Sequence, residues 1–251
     1  MILTRLSSRF RLIAKKPRSL RMCAVTKNEP KRQEARSEEG LRLDALAAYE
    51  EALHDRGYAW IAGLDEAGRG PLAGPVVAAA AILPCGLRLL GLNDSKKISL
   101  KNRLRLESEI KASAVSWAIG EADVEEIDRL NILGATKLAM TRALAGLSIS
   151  ADYLLLDAVK LDFPLPQEGL IKGDARCACI SAASILAKTH RDRLMEELDA
   201  MYPQYQFAQN KGYPTERHRM AVAQHGPSPC HRKTFLGFLQ RNEVQQVCLF
   251  K

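Results

Sequence analysis

Residues 65–77 read D-E-A-G-R-G-P-L-A-G-P-V-V, and this stretch decides the fold. The apolar residues 58–64 that precede it predict a buried strand. The Gly- and Pro-rich residues 67–75 predict a tight loop, and residues 76–83 predict a second strand. Two strands joined by a short loop are typical of an antiparallel pair.

The quoted stretch begins with two adjacent acidic residues, Asp65 and Glu66. An ionised carboxylate at the end of a buried strand is costly unless a cation offsets it, and a metal ion is the obvious partner. Neighbouring residues of a regular strand face opposite ways. The two side chains therefore converge only if the strand ends between them, which Gly68 and Gly70 favour. Taken alone, the pair fits a metal site and a pair of exposed acids before a turn equally well.

Hydrophobic periodicity extends the prediction in both directions along the chain. The predicted elements are, in chain order, a helix at 38–56, strands at 58–64, 76–83 and 115–121, a helix at 123–147 interrupted at Gly134, strands at 152–156 and 169–172, and a helix at 175–201. The first three strands predict an antiparallel meander with short links. The whole order predicts a mixed α/β sheet, followed by helical turns over residues 203–251.

The net charge of +8 is concentrated at the start of the chain. Residues 1–37 carry eleven basic and two acidic residues, a net charge of +9. We expect a disordered basic tail at 1–37 and one folded domain at 38–251. Any nucleic-acid surface of that domain must be a local patch, and residues 172–242, with eleven basic and six acidic residues, supply one.

Composition excludes several other classes of protein. Hydrophobic residues make up 47% and charged residues 26% of the chain, as in an ordinary folded soluble protein. No run approaches the roughly 18 apolar residues that a membrane span needs. The six cysteines form no C-x-x-C pair, and only Cys177 and Cys179 lie close together in sequence. We therefore expect a cytoplasmic protein with reduced thiols, no zinc site and no membrane partner.

Two further acidic residues follow predicted strands. Asp157 ends the apolar run 154–156, where functional groups of α/β sheets gather. Asp174 precedes the last long helix, and a capping role is the simpler explanation for it taken alone. The combined set favours a site, because acids at three strand ends supply the oxygen ligands that a pair of hard divalent ions requires.

Polar residues on the last long helix form a second group. Ser181, Ser184, Lys188 and Arg191 recur at helical intervals and share one face, which can meet phosphates. A solvated face is the alternative, although small apolar neighbours predict that the two serines are buried. Two loops add basic or aromatic groups, and these are N-D-S-K-K at 93–97 and N-K-G-Y-P-T at 210–215. Tyr213 either stacks on a sugar or base or packs in the core.

Together these motifs resemble the bacterial ribonuclease HII family, and the resemblance covers about residues 41–240. The matching segments are D-E-A-G-R-G-P-L-A-G-P-V-V, L-L-L-D-A, K-G-D, S-A-A-S-I-L-A-K and K-G-Y-P-T. The resemblance implies a ribonuclease H-like mixed β-sheet flanked by helices, with a C-terminal helical extension. The similar type III enzymes carry G-T-G where this chain has Arg69 between two glycines. Ala158 and Ala182 depart from the residues common in the family.

The resemblance also implies roles for individual residues. It makes Asp65, Glu66, Asp157 and Asp174 catalytic ligands of two Mg²⁺ or Mn²⁺ ions. The G-R-G backbone then contacts a ribose 2′-hydroxyl, and Tyr213 packs on the deoxyribose at the RNA to DNA junction. The expected substrate-binding residues are Gly68, Arg69, Gly70, Lys96, Ser181, Ser184, Lys188 and Tyr213.

The implied activity is endonucleolytic hydrolysis of RNA in RNA–DNA hybrids and 5′ of ribonucleotides embedded in duplex DNA, by a monomer that acts in DNA replication and repair. Two alternatives remain. A non-catalytic RNA-binding protein would have no use for clustered acids that repel phosphate. Another two-metal nuclease of related fold would not need a sensor of the 2′-hydroxyl.

Overall fold

A computed structural model of the chain describes residues 38–239. The predicted tail at 1–37 and the last part of the predicted C-terminal extension lie outside these residues. The elements are α1 (Glu38–Asp55), β1 (Ile61–Ala67), β2 (Val76–Ile82), α2 (Leu100–Ser113), β3 (Ser116–Ala122), α3 (Val124–Ala145), β4 (Tyr153–Asp157), β5 (Gln167–Leu170), α4 (Ala178–Met201), α5 (Phe207–Asn210) and α6 (Glu216–His225), with 3-10 turns at Gly173–Ala175, Pro203–Tyr205 and Lys233–Phe235. Among these residues, no helix is long and apolar enough to cross a membrane.

The strands form one mixed sheet in the order β3-β2-β1-β4-β5. β1, β2 and β3 pair antiparallel, as the predicted meander requires, whereas β4 and β5 pair parallel. The predicted short link between β2 and β3 is wrong, because α2 lies there. Only Leu106, Glu107 and Ile110 of α2 are buried. A helix that buries so few side chains needs no strong apolar stripe, and periodicity therefore did not predict it.

Two boundaries differ from the prediction in ways that affect the site. β1 does not end between the two acids, because Asp65 pairs with Ala79 and Glu66 with Ala78 in the ladder to β2. α3 is kinked at Asn131 rather than at Gly134. The Asn131 side chain accepts hydrogen bonds from the backbone N–H groups of Leu133 and Gly134, so it caps the second half of the helix.

Helices cover both faces of the sheet. On one face, α3 packs against the apolar side chains of β1, β2 and β4. On the other face, α1, α2 and α4 share a core with β2. α4 approaches β1 so closely that a Cβ atom at Gly63 would lie 2.1 Å from the carbonyl carbon of Cys179. Glycine at this position therefore permits the N-terminal half of α4 to lie against the sheet.

The C-terminal segment packs beside the loop that follows β1. Its apolar residues Tyr205, Phe207 and Val222 form a separate core with Ala73 of that loop and Met195 of α4. This small core fixes the segment to the end of the sheet where the acidic residues stand. The predicted C-terminal helical extension is therefore part of the site's surroundings.

Candidate active site

Three acidic residues converge at one end of the sheet. The parallel register pairs Leu64 with Leu156, so the residues that follow them, Asp65 and Asp157, lie side by side. Asp174 enters from the 3-10 turn between β5 and α4. Each of the three acidic side chains places a carboxylate oxygen within 4.8 Å of the other two.

Glu66 lies at the edge of this group rather than inside it, because β1 continues past it and adjacent strand residues face opposite ways. Its Oε1 atom accepts a hydrogen bond from Arg69 at 3.2 Å. Its Oε2 atom is buried and has no hydrogen-bond partner among residues 38–239. Burial raises the pKa of Glu66, and the nearby Asp157 raises it further. The structure thus joins three of the four predicted ligands closely and places the fourth next to them.

Neighbouring groups orient the carboxylates. The backbone N–H of Gly173 donates to Asp157 Oδ1 at 2.8 Å, and that of Glu66 donates to Asp65 Oδ1 at 2.7 Å. The Ser184 hydroxyl also hydrogen-bonds Asp65 and bonds Ser95 Oγ at 2.9 Å. Ser184 is therefore placed to position a carboxylate.

The electrostatics of this group suit divalent cations. Burial, followed by repulsion from Glu66, raises the pKa of Asp65 well above its usual value. Burial and the neighbouring Asp94 and Asp157 raise the pKa of Asp174. Carboxylates that repel one another in a buried site gain most from a cation, and oxygen donors are the ligands that Mg²⁺ and Mn²⁺ prefer. The donor set therefore fits the ions that the family resemblance implies.

A cleft of about 520 Å³ adjoins the carboxylates. Glu66 and Lys96 connect the two, because both line the cleft and both interact electrostatically with Asp157. Of the predicted substrate-binding residues, the cleft is lined by Gly68, Arg69, Gly70, Lys96, Ser184, Lys188 and Tyr213. Arg103 and Lys211 add two cations to its wall. The cleft is therefore lined partly by the expected basic patch, through Lys188 and Lys211, and partly by Arg69, Lys96 and Arg103 from outside it.

Two residues of the predicted polar face of α4 are not available to a ligand. Ser181 is fully buried and does not line the cleft. Arg191 is 1% exposed, and its guanidinium donates to the carbonyl oxygens of Ala73, Pro75 and Lys211. Arg191 borders the cleft, but backbone carbonyls already accept hydrogen bonds from its guanidinium, so we expect it to hold the loop rather than to meet phosphates.

Arg191 and Arg232 together hold the loop after β1. Arg232 is fully buried and donates to the carbonyl oxygens of Gly68, Arg69 and Gly74 at 2.6 to 3.1 Å. Gly68 has φ +97°, and a Cβ atom there would lie 2.1 Å from Arg191 Nε. Only glycine fits this backbone conformation so close to a guanidinium. The basic pattern around Arg232 was visible in the sequence, but its partners lie far away along the chain.

Asp94 is a site residue that the sequence motifs did not single out. Burial raises the pKa of the Asp174 carboxyl group, and the neighbouring Asp94 raises it further. The Oδ1 atom of Asp94 also accepts a hydrogen bond from the backbone N–H of Lys96 at 2.9 Å. Burial opposes the charge of Lys96, but Asp65 and the other acids outweigh it and raise its pKa. The N-D-S-K segment thus places one acid and one cation beside the predicted ligands.

Tyr213 stands across the cleft from the G-R-G segment. Its ring is 44% exposed, and its Cε1 atom is 3.5 Å from the position that a Cβ at Gly70 would take. Its carbonyl oxygen accepts hydrogen bonds from Thr215 N–H and from His218 Nδ1. An exposed ring on an anchored backbone is typical of a stacking surface rather than a core residue.

A chain of hydrogen bonds through two buried histidines anchors this tyrosine. The backbone N–H of Ser228 donates to His231 Nδ1, so neutral His231 carries its proton on Nε2. That proton is donated to His218 Nε2 at 3.0 Å, and His218 in turn donates from Nδ1 to the Tyr213 carbonyl oxygen. Protonating either imidazole would place two donors face to face.

We expect the histidine pair to weaken the fold at acidic pH. Burial, followed by His218, lowers the pKa of His231 to about 4. An unfolded histidine takes up its proton near pH 6.5, so between these values the unfolded state binds more protons. The stability that neutral His231 contributes is therefore complete above about pH 6.5 and falls toward pH 4, with a loss of about 2 kcal/mol at pH 5 and about 3 kcal/mol in full.

Urea unfolding of the wild-type protein and of His231→Gln at pH 7.5 and pH 5 measures this effect. We expect the wild type to lose more free energy of unfolding on acidification than the variant does. The variant is needed because Asp65 and Asp174, whose pKa values are raised, change stability with pH in the opposite sense. Equal losses in the two proteins would show that His231 is already protonated at neutral pH or is not buried.

Ala158, directly after Asp157, adopts a left-handed backbone conformation with φ +54°. This conformation costs a residue with a Cβ atom roughly 1–2 kcal/mol and costs glycine almost nothing. We expect Ala158→Gly to raise the free energy of unfolding by about 0.5–1 kcal/mol, after allowance for the greater freedom of glycine in the unfolded chain. Urea unfolding measures it, and a less stable variant would mean that Ala158 is unstrained.

Comparisons with known proteins agree with this site. A family model described as Ribonuclease HII matches residues 62–237. Ribonuclease HII of Desulfitobacterium hafniense is 54% identical over 215 residues, which cover 85% of this chain and 83% of that protein. Ribonuclease HII of Enterococcus faecalis is 52% identical over 82% of this chain and 80% of that protein. The crystal structure of ribonuclease H2 from Pyrococcus horikoshii OT3 superposes with a TM-score of 0.64 and 27% identity, covering 74% of this chain and 98% of that one. This chain therefore belongs to the ribonuclease HII family.

Proposed function

We propose that this protein hydrolyses the RNA strand of RNA–DNA hybrids and cuts 5′ of single ribonucleotides in duplex DNA, using two Mg²⁺ or Mn²⁺ ions. Ribonuclease H activity on hybrids is the activity of its family. The observation that carries the finer proposal is the convergence of Asp65, Asp157 and Asp174 beside a cation-lined cleft. Four residues, Asp65, Glu66, Asp157 and Asp174, would hold the ions.

Ions bound there would lower the pKa of a water molecule and offset the charge that builds up on the departing 3′-oxygen. The chain itself supplies binding and orientation. Gly173 and Ser184 fix the directions of Asp157 and Asp65 through hydrogen bonds. Lys96 lies within the electrostatic reach of three of the acids and lines the cleft, so it can hold the scissile phosphate near them.

Other cleft residues bind the flanking backbone in this proposal. Lys188 pairs with Asp192, which also pairs with Arg103 at 3.3 Å. Burial lowers the pKa of Lys188, although its ammonium group donates a hydrogen bond to Asp192. A phosphate can compete with Asp192 for Lys188 and Arg103 because all three line the cleft. These contacts carry no sequence preference.

Recognition of the sugar is assigned to the G-R-G segment and Tyr213. Arg232 holds the carbonyl groups of Gly68 and Arg69, and Gly68 and Gly70 carry no side chain that would keep a ribose away. A 2′-hydroxyl is the feature that separates RNA from DNA at a single position. Tyr213 then stacks on the neighbouring deoxyribose. Its exposed ring supports this role more than a core role.

The two alternative functions fit the residues less well. A protein that only bound RNA would lose affinity through a buried acidic group next to its phosphate site. A related two-metal nuclease without sugar preference would not need the anchored G-R-G segment facing Tyr213. We propose that the enzyme works as a monomer in the cytoplasm.

A comparison of matched duplexes tests the proposed substrate class. RNA–DNA hybrid, double-stranded RNA and double-stranded DNA of one sequence are incubated with the protein in Mg²⁺, in Mn²⁺ and in chelator. We expect cleavage of the RNA strand of the hybrid alone, and only with a divalent ion. Comparable cleavage of double-stranded RNA would exclude a ribonuclease H activity.

Deleting residues 1–37 is expected to leave cleavage of the hybrid largely intact. None of the proposed ligands or sugar contacts lies in this segment. Its net charge of +9 can still add nonspecific attraction to phosphates, so affinity should fall at low salt and converge with that of the full chain at high salt. The measurement is substrate affinity and cleavage rate across a salt series. Loss of activity at every salt concentration would make these residues part of the site.

A further inference from the structure

A second group of potential metal ligands lies away from the cleft, where α1 meets the first turn of α4. Cys177 and Cys179 come from the start of α4, and Glu50 comes from α1. Each offers one atom, two thiol sulfurs and a carboxylate oxygen, and these atoms lie within 4.8 Å of one another. The absence of a C-x-x-C pair led to the expectation of no zinc site, but the third group here lies far from the cysteines in the sequence.

The spacing of the two sulfurs suits a single ion. Cys177 Sγ and Cys179 Sγ are 3.4 Å apart. Two thiolates bound to one tetrahedral zinc-class ion at about 2.3 Å lie about 3.8 Å apart, so a small outward movement would admit it. The backbone N–H of Cys179 donates to Glu50 Oε1 at 2.6 Å, which holds the carboxylate against the thiols.

The second carboxylate oxygen of Glu50 can accept a partner such as a cation. Glu50 Oε2 is buried, and within residues 38–239 it has no hydrogen-bond partner. A buried carboxylate oxygen without a partner is costly, and a cation removes that cost. Both cysteines are fully buried and Glu50 is 8% exposed. Burial raises the pKa of Glu50 and of both thiols, as expected for ligands without their cation.

A route for an ion reaches this group from the surface. A narrow pocket is lined by Glu50, Glu51, His54, Pro84 and Ala178, among others. The pocket therefore reaches the group at Glu50, whereas Cys177 and Cys179 lie behind its wall. Glu51 and His54 at its wall offer a carboxylate and an imidazole, which are groups that attract such a cation.

We propose that Cys177, Cys179 and Glu50 bind one thiophilic divalent ion of the zinc class. Two thiolates and a carboxylate form a soft donor set that such an ion prefers to Mg²⁺, so this site and the oxygen-lined active site select different metals. Binding forms two metal–sulfur bonds and releases the two thiol protons to solvent. The ion ties α1 to the start of α4, directly after the turn that carries Asp174.

Cadmium titration of the full reduced chain tests the proposal. The protein is first freed of metal by chelation and then kept in excess Mg²⁺, which occupies the carboxylate site but does not bind thiolates. Thiolate-to-cadmium charge transfer absorbs in the ultraviolet, and carboxylate binding does not. We expect this absorption to saturate at one equivalent of Cd²⁺ and Zn²⁺ to displace it. Zn²⁺ should also raise the melting temperature of the wild type.

Three variants locate the site. Cys179→Ser removes a sulfur, and Glu50→Gln removes the charge but keeps an oxygen that can accept the Cys179 N–H, so each should weaken Cd²⁺ binding by at least about tenfold. Cys230→Ser alters a thiol of the C-terminal segment, away from this group, and serves as the matched control, which should bind like the wild type. The absence of a charge-transfer band in the wild type would overturn the proposal, whether or not the variants fold. A band unchanged in Cys179→Ser, or lost in Cys230→Ser, would overturn it as well.

Discussion

Asp65→Asn is expected to reduce cleavage by about a thousandfold or more while leaving the fold intact. Asp65 is one of the three converging acids and is held in place by the pairing of β1 with β2. An amide has the same shape as the carboxylate and can still accept the hydrogen bond from Glu66 N–H. The change therefore removes a ligand charge with little disturbance of packing.

The same substitution should keep or increase stability when divalent ions are absent. Burial and the neighbouring Glu66 disfavour the ionised form of Asp65, which is why its pKa is raised. A neutral amide avoids that cost, so lost activity should accompany an unchanged or higher melting temperature. This pairing separates removal of a catalytic ligand from partial unfolding.

Cleavage rate and thermal unfolding in chelator are the two measurements. Asp162→Asn is a matched control, because Asp162 is an exposed aspartate in the loop between β4 and β5. We expect this control to cleave like the wild type. A wild-type rate in Asp65→Asn would contradict the assignment of the site. A large drop in its melting temperature would point to a structural role instead.

Tyr213→Ala should reduce cleavage of a DNA duplex with one embedded ribonucleotide by about ten- to a hundredfold. This factor corresponds to the loss of about 1–3 kcal/mol that removal of an aromatic stacking partner causes. The ring projects into the cleft and does not contact the carboxylate group, so the affinity for divalent ions should stay nearly unchanged. The loop should keep its shape, since the Tyr213 backbone rather than its ring bonds His218 and Thr215.

Single-turnover cleavage with titrated metal tests this expectation. Tyr213→Phe keeps the ring and is the matched control, and it should retain most of the wild-type rate. Equal rates for Tyr213→Ala and the wild type at saturating metal would mean that the ring does not sense the junction. A large shift in metal dependence would mean that Tyr213 acts through the carboxylates.

The sequence predicted the parts of the site that follow from local patterns. Asp65, Asp157 and Asp174 each follow or end an apolar strand, and strand ends meet at one edge of a sheet, so their convergence was predictable. The position of Glu66 at the edge of the group was not, because it depends on where β1 ends. That end is set by the pairing of β1 with β2, which lies on the other side of the loop.

The residues that sequence patterns missed act through distant partners. Arg232 donates hydrogen bonds to the carbonyl groups of Gly68 and Arg69, which lie near the other end of the domain's sequence. Arg232 belongs to the basic patch of residues 172–242 that predicted a nucleic-acid surface, but it is fully buried. Asp94 similarly acts through a residue distant in sequence, because its charge adds to the effect of burial in raising the pKa of Asp174. Composition shows that such residues are charged but not whether backbone carbonyls or acids surround them.

The most direct test of the proposed function uses an end-labelled DNA duplex with one ribonucleotide at a known position. The wild-type protein is incubated with it in Mg²⁺, in Mn²⁺ and in chelator, and the cut position and product ends are mapped. We predict one cut, 5′ of the ribonucleotide, with 3′-hydroxyl and 5′-phosphate ends and only in the presence of a divalent ion. Cleavage in chelator, or equal cleavage of the same duplex without the ribonucleotide, would contradict a metal-dependent site that senses the 2′-hydroxyl.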